Sequence, residues 1–72
     1  MQRTSLKLLD VVALLGDRPD ENLVAGQVGT VVEVLAPGVF EVEFLDSNGR
    51  TLALAELKRE ELLALKHEAA AA

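Results

Sequence analysis

The fold is decided by residues 39–49, which read VFEVEFLDSNG. In this stretch Phe40, Val42 and Phe44 alternate with Glu41 and Glu43. Alternation with a period of two predicts a strand whose aromatic side chains face a core and whose glutamates face water. The stretch therefore predicts a half-buried β-strand at the centre of a small sheet.

Turn signals lie on both sides of this strand. Asn48 and Gly49 form a pair that tolerates positive φ at both central positions, which predicts a two-residue type I′ hairpin. Before the strand, Pro37 fixes φ at one turn position and Gly38 supplies positive φ at the next, which predicts a type II turn. The neighbouring strands are predicted at residues 28–36 and 50–57.

The remaining segments also predict an all-β fold. Residues 8–15 predict a first strand, and residues 17–27 predict a long loop anchored by Leu23 and Val24. Gly29, inside the second strand, marks a bulge or a close backbone approach. Residues 58–62 resemble one helical turn, and residues 63–67 suit either a short closing strand or more helix.

This order of elements is that of a small SH3-like barrel with four to five antiparallel strands and one short helical turn near the C-terminus. The predicted organisation is a polar lead-in at 1–5, a barrel at 6–67 and an Ala-rich tail at 68–72. A chain of 72 residues has room for one such domain.

Composition excludes several functions. Residues 10–46 carry eight acids against Arg18, within a net charge of −5, which disfavours nucleic acid. The chain has no Trp and no Tyr, so it cannot build the aromatic groove that binds polyproline peptides. No apolar run is long enough to cross a membrane. The lack of cysteine fits a cytoplasmic location.

No catalytic, metal or cofactor residue is predicted. Glu41 and Glu43 share a strand face that alternation places in water rather than in a cleft. His67 is the single histidine and lies near the end of the chain. Gly26 and Gly29 are followed by a β-branched run rather than by the Lys and helix of a phosphate loop. We therefore expect a non-enzyme without cofactors.

Four blocks of sequence carry a family resemblance. They read LKLLDVVAL at 6–14, GQVGTVVEV at 26–34, FEVEF at 40–44 and GRT at 49–51. Together they resemble a family of short prokaryotic SH3-like proteins of unknown function, over residues 6–65. The resemblance implies no assigned activity, and it implies a second small gene beside this one, as in toxin–antitoxin or immunity pairs. The glycine-containing block is also similar to RNA-binding SH3-like modules, but here it is acidic.

Half of the residues are hydrophobic, and this surplus predicts a partner surface. Nine residues suffice for a core: Val12, Leu14, Val32, Val34, Phe40, Val42, Phe44, Leu52 and Leu54. The opposite strand faces carry Val11, Ala13, Val31, Leu35, Ala53, Ala55 and Leu57. We expect self-association into a closed homo-oligomer through a strand edge or through the apolar face of residues 50–57. The interface residues predicted are Leu35, Ala53, Ala55 and Leu57.

Two other roles stay open at this point. The chain could be the binding or neutralising half of a two-gene pair, with the acidic face of Glu33, Glu41 and Glu43 meeting a basic protein. It could equally be an accessory domain of a larger enzyme. The lack of Trp, Tyr and Cys, together with the Ala-rich tail, would also suit a redesigned or consensus sequence.

Overall fold

Five antiparallel strands form the domain. The computed structural model describes residues 6–65. The strands are β1 (Val11–Leu14), β2 (Val28–Ala36), β3 (Val39–Leu45), β4 (Thr51–Lys58) and β5 (Leu62–Ala64). Within residues 6–65 the helical elements are two single 3-10 turns, at Pro19–Glu21 and Arg59–Glu61. The predicted all-β class with five antiparallel strands is confirmed.

All five strands belong to one sheet, in the order β4-β3-β2-β1-β5. The chain runs through β1 to β4 by successive antiparallel pairings and then returns to place β5 beside β1. In that last pairing Ala13 is opposite Leu63. The two end strands of the sheet are therefore β4 and β5.

One hydrophobic core lies on the inner face of the sheet. The alternation in β3 is confirmed, because Phe40, Val42 and Phe44 are buried. Val12 and Leu14 of β1 are also buried, as predicted. Within residues 6–65 the buried apolar residues are Leu6, Val12, Leu14, Leu23, Val31, Phe40, Val42, Phe44, Ala55, Leu57 and Leu62.

The predicted inward face of β4 is wrong. Leu52 and Leu54 are 45% and 55% exposed, whereas Ala55 and Leu57 are buried and Ala53 packs against the core. The cause is the pairing with β3, since residues directly opposite each other point to the same face of a sheet. Ala53, Ala55 and Leu57 stand opposite the three inward side chains of β3.

The faces of β2 were also predicted incorrectly in part. Val31 is fully buried, whereas Val32 is half-buried and Val34 is 46% exposed. Register shifts against β3 follow Val31 and again follow Val34. Each bulge inserts one residue and so interrupts the regular alternation that the prediction assumed. Gly29 does mark a close approach, because it is buried directly opposite Phe44.

The turn at Pro37 and Gly38 is confirmed. Ala36 pairs with Val39 across these two residues. Gly38 has a φ of +76°, the left-handed value that the second central position of a type II turn requires.

The second hairpin turn is wider than predicted. Gly49 has a φ of +82°, but Asn48 does not have positive φ, so the two are not a type I′ pair. Instead Leu45 pairs with Thr51, and an Asp46 side-chain oxygen accepts the backbone N–H groups of Asn48 at 2.8 Å and Arg50 at 3.0 Å. This carboxylate closes a five-residue loop that needs positive φ at Gly49 alone.

The closing segment is a strand. The 3-10 turn at Arg59–Glu61 leads directly into β5, as the first of the two open predictions proposed. In the long first loop Leu23 is buried as an anchor, but Val24 is 56% exposed. The predicted lead-in at 1–5, His67 and the tail at 68–72 lie outside the described residues. Within residues 6–65 no helix is long and apolar enough to cross a membrane.

Candidate interaction surface

The most distinctive surface feature is the β4 edge, which we define as the side of Thr51–Lys58 facing away from β3. Within residues 6–65 no other strand pairs with this side. The strand is eight residues long and contains no proline, and its first five residues, Thr51–Ala55, carry no charge. A long uncharged edge of this kind presents backbone N–H and C=O groups to any strand that approaches.

A line of apolar side chains crosses the outer face of the sheet and reaches this edge. Ala13 of β1 is opposite both Val28 of β2 and Leu63 of β5. Leu45 of β3 follows the inward-facing Phe44 and points outward. We call the following set the outer stripe: Leu63, Ala13, Val28, Leu45, Leu52 and Leu54. Apart from the half-buried Ala13, each of these side chains is about half exposed, from 45% at Leu52 to 55% at Leu54.

Beside the outer stripe lies a row of carboxylates. Glu41 is directly opposite Glu33 on one side and Glu56 on the other. We call these three residues the glutamate row. Like charges directly opposite one another in a sheet are destabilising, so the row is not explained by the stability of the fold. Glu43, on the same strand face, accepts a hydrogen bond from the Thr51 hydroxyl at 2.5 Å.

The four interface residues predicted from the sequence do not come together. Leu35 is 43% exposed on β2, but Ala55 and Leu57 are in the core, and Ala53 packs against it. Side chains inside the core cannot contact a partner without unfolding, so Ala55 and Leu57 do not belong to an exposed interface. The predicted turn residues Pro37, Gly38, Asn48 and Gly49 all lie in hairpin loops.

The exposed leucines of β4 are the functional candidates that the prediction missed. A signal for them was present in the sequence. A two-residue loop at Asn48 and Gly49 places residue 47 opposite residue 50, and continuing that ladder places Phe44 opposite Ala53. The same pairing occurs in the structure, despite the wider loop. Because Ala53 shares the inner face with Phe44, this pairing places the next residue, Leu54, on the outer face.

A second feature joins the long first loop to the end of the sheet. Arg18 donates a hydrogen bond to Glu61 at 3.0 Å and is 3.9 Å from Glu21. These residues border an open cavity of about 510 Å³. Its lining consists of Arg18, Glu21, Val39, Glu56, Lys58 and Glu61. One buried oxygen of Glu21 has no hydrogen-bond partner within the described residues.

Among residues 6–65, the lining of this cavity has no serine, threonine, cysteine or histidine. Its lining offers three carboxylates and two cations, of which Arg18 already contacts Glu61. Within residues 6–65 no group of three histidine, cysteine, aspartate or glutamate side chains is placed to hold a metal ion. The Arg18–Glu61 ion pair joins the first loop to the 3-10 turn before β5.

Comparison with known protein families gives a match over most of the chain. Residues 8–64 match the model of a family described as Domain of unknown function (DUF4926). No curated protein matches the chain, and no solved structure matches it. The matched segment covers all five strands.

Proposed function

Because the chain belongs to this family of unknown function, DUF4926, we propose its function from its own surface: it is a non-enzymatic assembly module that forms a closed homo-oligomer. The interface is the β4 edge together with Leu52 and Leu54. The observation that carries the proposal is an eight-residue strand at the end of the sheet whose side away from β3 has no partner within residues 6–65 and which carries the exposed Leu52 and Leu54.

Strand pairing supplies the affinity in this proposal. Each backbone hydrogen bond across the new edge contributes about 0.5–1.5 kcal/mol net, and burial of the leucines adds about 25 cal/mol per Å². These gains must exceed the loss of rotational and translational freedom on association. An edge of eight residues with two half-exposed leucines offers both contributions at one place.

The same geometry favours a closed dimer over an open fibre. Pairing β4 with β4 of a second copy uses the same surface twice, which closes the assembly around a two-fold axis. A fibre would need β4 to pair with β5 of the next copy, but β5 is only three residues long. The short strand therefore limits growth beyond the dimer.

We also propose a type of barrel and a cellular location for the protein. We take the domain to be SH3-like, supported by the long first loop, the hairpin-linked β2, β3 and β4, and the 3-10 turn before β5. We place the protein in the cytoplasm of a prokaryote. The absence of cysteine supports a reducing compartment.

Sedimentation velocity of the purified full chain tests self-association. We expect a dimer at micromolar concentrations, and we expect Leu54→Lys to give a folded monomer because a lysine on a strand edge opposes pairing. Leu35→Lys is the matched control: Leu35 is 43% exposed but lies on β2, so the variant should remain dimeric. Circular dichroism confirms that both variants are folded. A wild-type chain that stays monomeric throughout rejects the proposal.

A second candidate role is the binding of a basic protein, as the neutralising half of a two-gene pair or as an accessory domain of an enzyme. The observation that favours it is the glutamate row, which spans three strands on the outer face. The test is capture of one partner from the native host by the wild-type chain and by Glu41→Lys. A partner that is lost both with the variant and at high salt supports this role. A partner retained under both conditions does not use the row.

A further inference from the structure

We propose that Asn48 is a site of spontaneous covalent modification, and that the Asp46 side chain controls its rate by holding the hairpin turn closed. Asn48 and Gly49 are an exposed pair in the loop between β3 and β4. The modification converts the side-chain amide of Asn48 to a carboxylate and releases ammonia. The proposal goes beyond self-association and does not depend on it, because the reaction needs no second copy of the chain.

The reaction uses only these neighbouring residues and water. The backbone nitrogen of Gly49 gives its proton to solvent hydroxide and attacks the side-chain carbonyl carbon of Asn48. A carbon–nitrogen bond forms, the bond to the side-chain amide nitrogen breaks, and that nitrogen takes a proton from water and leaves as ammonia. The product is a cyclic imide, a succinimide. Water then opens the ring at either of its carbonyl carbons, which leaves aspartate or isoaspartate at residue 48.

The loop gives this reaction space and access to water. Gly49 has no side chain to hinder an approach to its nitrogen, and even an added Cβ there would meet no atom within 4 Å. Within residues 6–65 the side-chain amide of Asn48 forms no hydrogen bond. The carbon under attack is therefore accessible, and the rate depends on how readily the Gly49 nitrogen can react.

Hydrogen bonds of the closed turn engage this nitrogen. The Gly49 N–H donates to the carbonyl oxygen of Asp46 at 3.0 Å. The Asp46 carboxylate accepts the N–H groups on either side, from Asn48 at 2.8 Å and from Arg50 at 3.0 Å. A hydrogen bond made by the protonated form of a group opposes loss of its proton. The reaction therefore requires local opening of the turn, which the Asp46 carboxylate resists.

The chain contains a second asparagine that serves as an internal reference. Asn22 is followed by Leu23, whose side chain is buried in the core. The Leu23 N–H donates to the carbonyl oxygen of Arg18 at 3.1 Å. Attack by this nitrogen would require a core side chain to leave its place, so we expect Asn22 to stay unmodified in the folded chain.

Modification changes the hairpin in a direction that does not reverse spontaneously. Either product places a new carboxylate in the loop beside the carboxylate of Asp46, and like charges at short distance repel. Isoaspartate also routes the main chain through the former side chain, which adds a backbone carbon to the turn. Because the closed turn protects Asn48, chains that spend time unfolded should accumulate the change faster than folded chains.

Peptide mapping by mass spectrometry measures the reaction in the full chain. The wild type is incubated at mildly alkaline pH, either folded in sodium chloride or unfolded in guanidinium chloride at the same ionic strength. We expect Asn48 to be converted about a hundredfold more slowly in the folded chain, since the hydrogen bonds of the turn must open together. The peptide that contains Asn22 should stay unchanged in the folded sample.

Asp46→Ala tests the part assigned to the carboxylate. In the folded variant, verified by circular dichroism, we expect conversion of Asn48 to be about five- to thirtyfold faster than in the wild type. Ser47→Ala keeps the carboxylate and should react at the wild-type rate. Asp46→Ser keeps a hydroxyl acceptor and should react at an intermediate rate. High salt in every sample screens the charge that is removed with Asp46.

The outcomes separate the site from its control. No conversion of Asn48 in the unfolded wild type overturns the site itself. Equal rates in the folded and unfolded wild type overturn protection by the turn. Folded variants at Asp46 that react no faster than Ser47→Ala overturn the role of the carboxylate. None of these results bears on self-association, which sedimentation tests separately.

Discussion

Gly29 lies directly opposite Phe44, and the sheet leaves no space for a side chain at this glycine. A Cβ placed there would be 2.7 Å from a methyl carbon of Val42, 2.8 Å from the carbonyl oxygen of Glu43 and 2.9 Å from the ring of Phe44. The second contact is with backbone, which cannot move aside as a side chain can. The fully buried ring of Phe44 therefore packs against bare backbone of β2.

Gly29→Ala should destabilise the domain. The added methyl group forces β2 away from β3, and overpacking of this kind costs about 1–3 kcal/mol. Urea unfolding followed by circular dichroism measures the change. Gly16→Ala is the control, since a Cβ at Gly16 meets no atom within 4 Å. Equal unfolding midpoints for the two variants would contradict the close approach.

Leu57→Ala and Leu54→Ala should differ strongly, although the two leucines lie on one strand. Leu57 is fully buried, and its truncation should reduce the free energy of unfolding by about 2–5 kcal/mol. Leu54 is 55% exposed, and its truncation should change the monomer by less than about 0.5 kcal/mol. Urea unfolding at the lowest usable protein concentration makes the comparison. A larger effect at Leu54 would reverse the faces assigned to β4.

Glu41→Lys should stabilise the fold. It replaces two like-charge cross-strand pairs, with Glu33 and Glu56, by two opposite-charge pairs, which is worth about 0.2–1 kcal/mol for each pair. Thermal unfolding at low and high salt measures the gain, and the gain should shrink as salt rises. Glu60→Lys makes the same change of net charge on the 3-10 turn, away from the glutamate row. An equal gain in that control would attribute the effect to net charge alone.

Asp46→Ala should loosen the loop between β3 and β4. The variant loses the carboxylate that accepts the N–H groups of Asn48 and Arg50, at a cost of about 1–2 kcal/mol. Asp46→Asn keeps an acceptor oxygen and should lose less. Ser47→Ala alters the exposed neighbour in the same loop and should be neutral. Urea unfolding compares all three, and an unaffected Asp46→Ala would show that Gly49 suffices for the turn.

The sequence predicts burial correctly in a strand whose two faces differ in polarity. Between Phe40 and Phe44 the inward positions of β3 are aromatic or branched and the outward positions are glutamates, so burial there is decided by polarity alone. The turn at Pro37 and Gly38 was predictable for a similar reason, because each residue fixes a backbone angle that few others adopt.

The interface prediction failed on β4, where polarity does not distinguish the buried face from the exposed face. Both faces of β4 carry apolar side chains: Leu52 and Leu54 lie on one face, before Glu56, and Ala53, Ala55 and Leu57 lie on the other. Choosing the larger side chains for the core is reasonable, but in this sheet the ladder with β3 decides the face. Small alanines fit inward because they stand opposite Val42 and Phe44, which already fill the space. The hydrophobicity of the residues does not give the register of β4 against β3, whereas the position of the hairpin loop does.

The bulges of β2 could not be predicted from periodicity. Val31 and Val32 are chemically identical, and nothing in their type says which one points inward. The ladder with β3 shifts by one residue between Val31 and Glu33, and again between Val34 and Ala36. Local backbone geometry in the folded sheet determines these shifts.

The adjacency of β1 and β5 has a consequence for how the chain is made. Val12, near the start, takes its place in the sheet opposite Ala64, near the end of the described residues. A ribosome that has released β1 to β4 still holds the strand that pairs with β1, so the nascent chain carries an incomplete sheet until β5 has also left the ribosome. Messages truncated before residue 62 would yield polypeptides with the side of β1 away from β2 uncovered, a natural substrate for quality-control proteases.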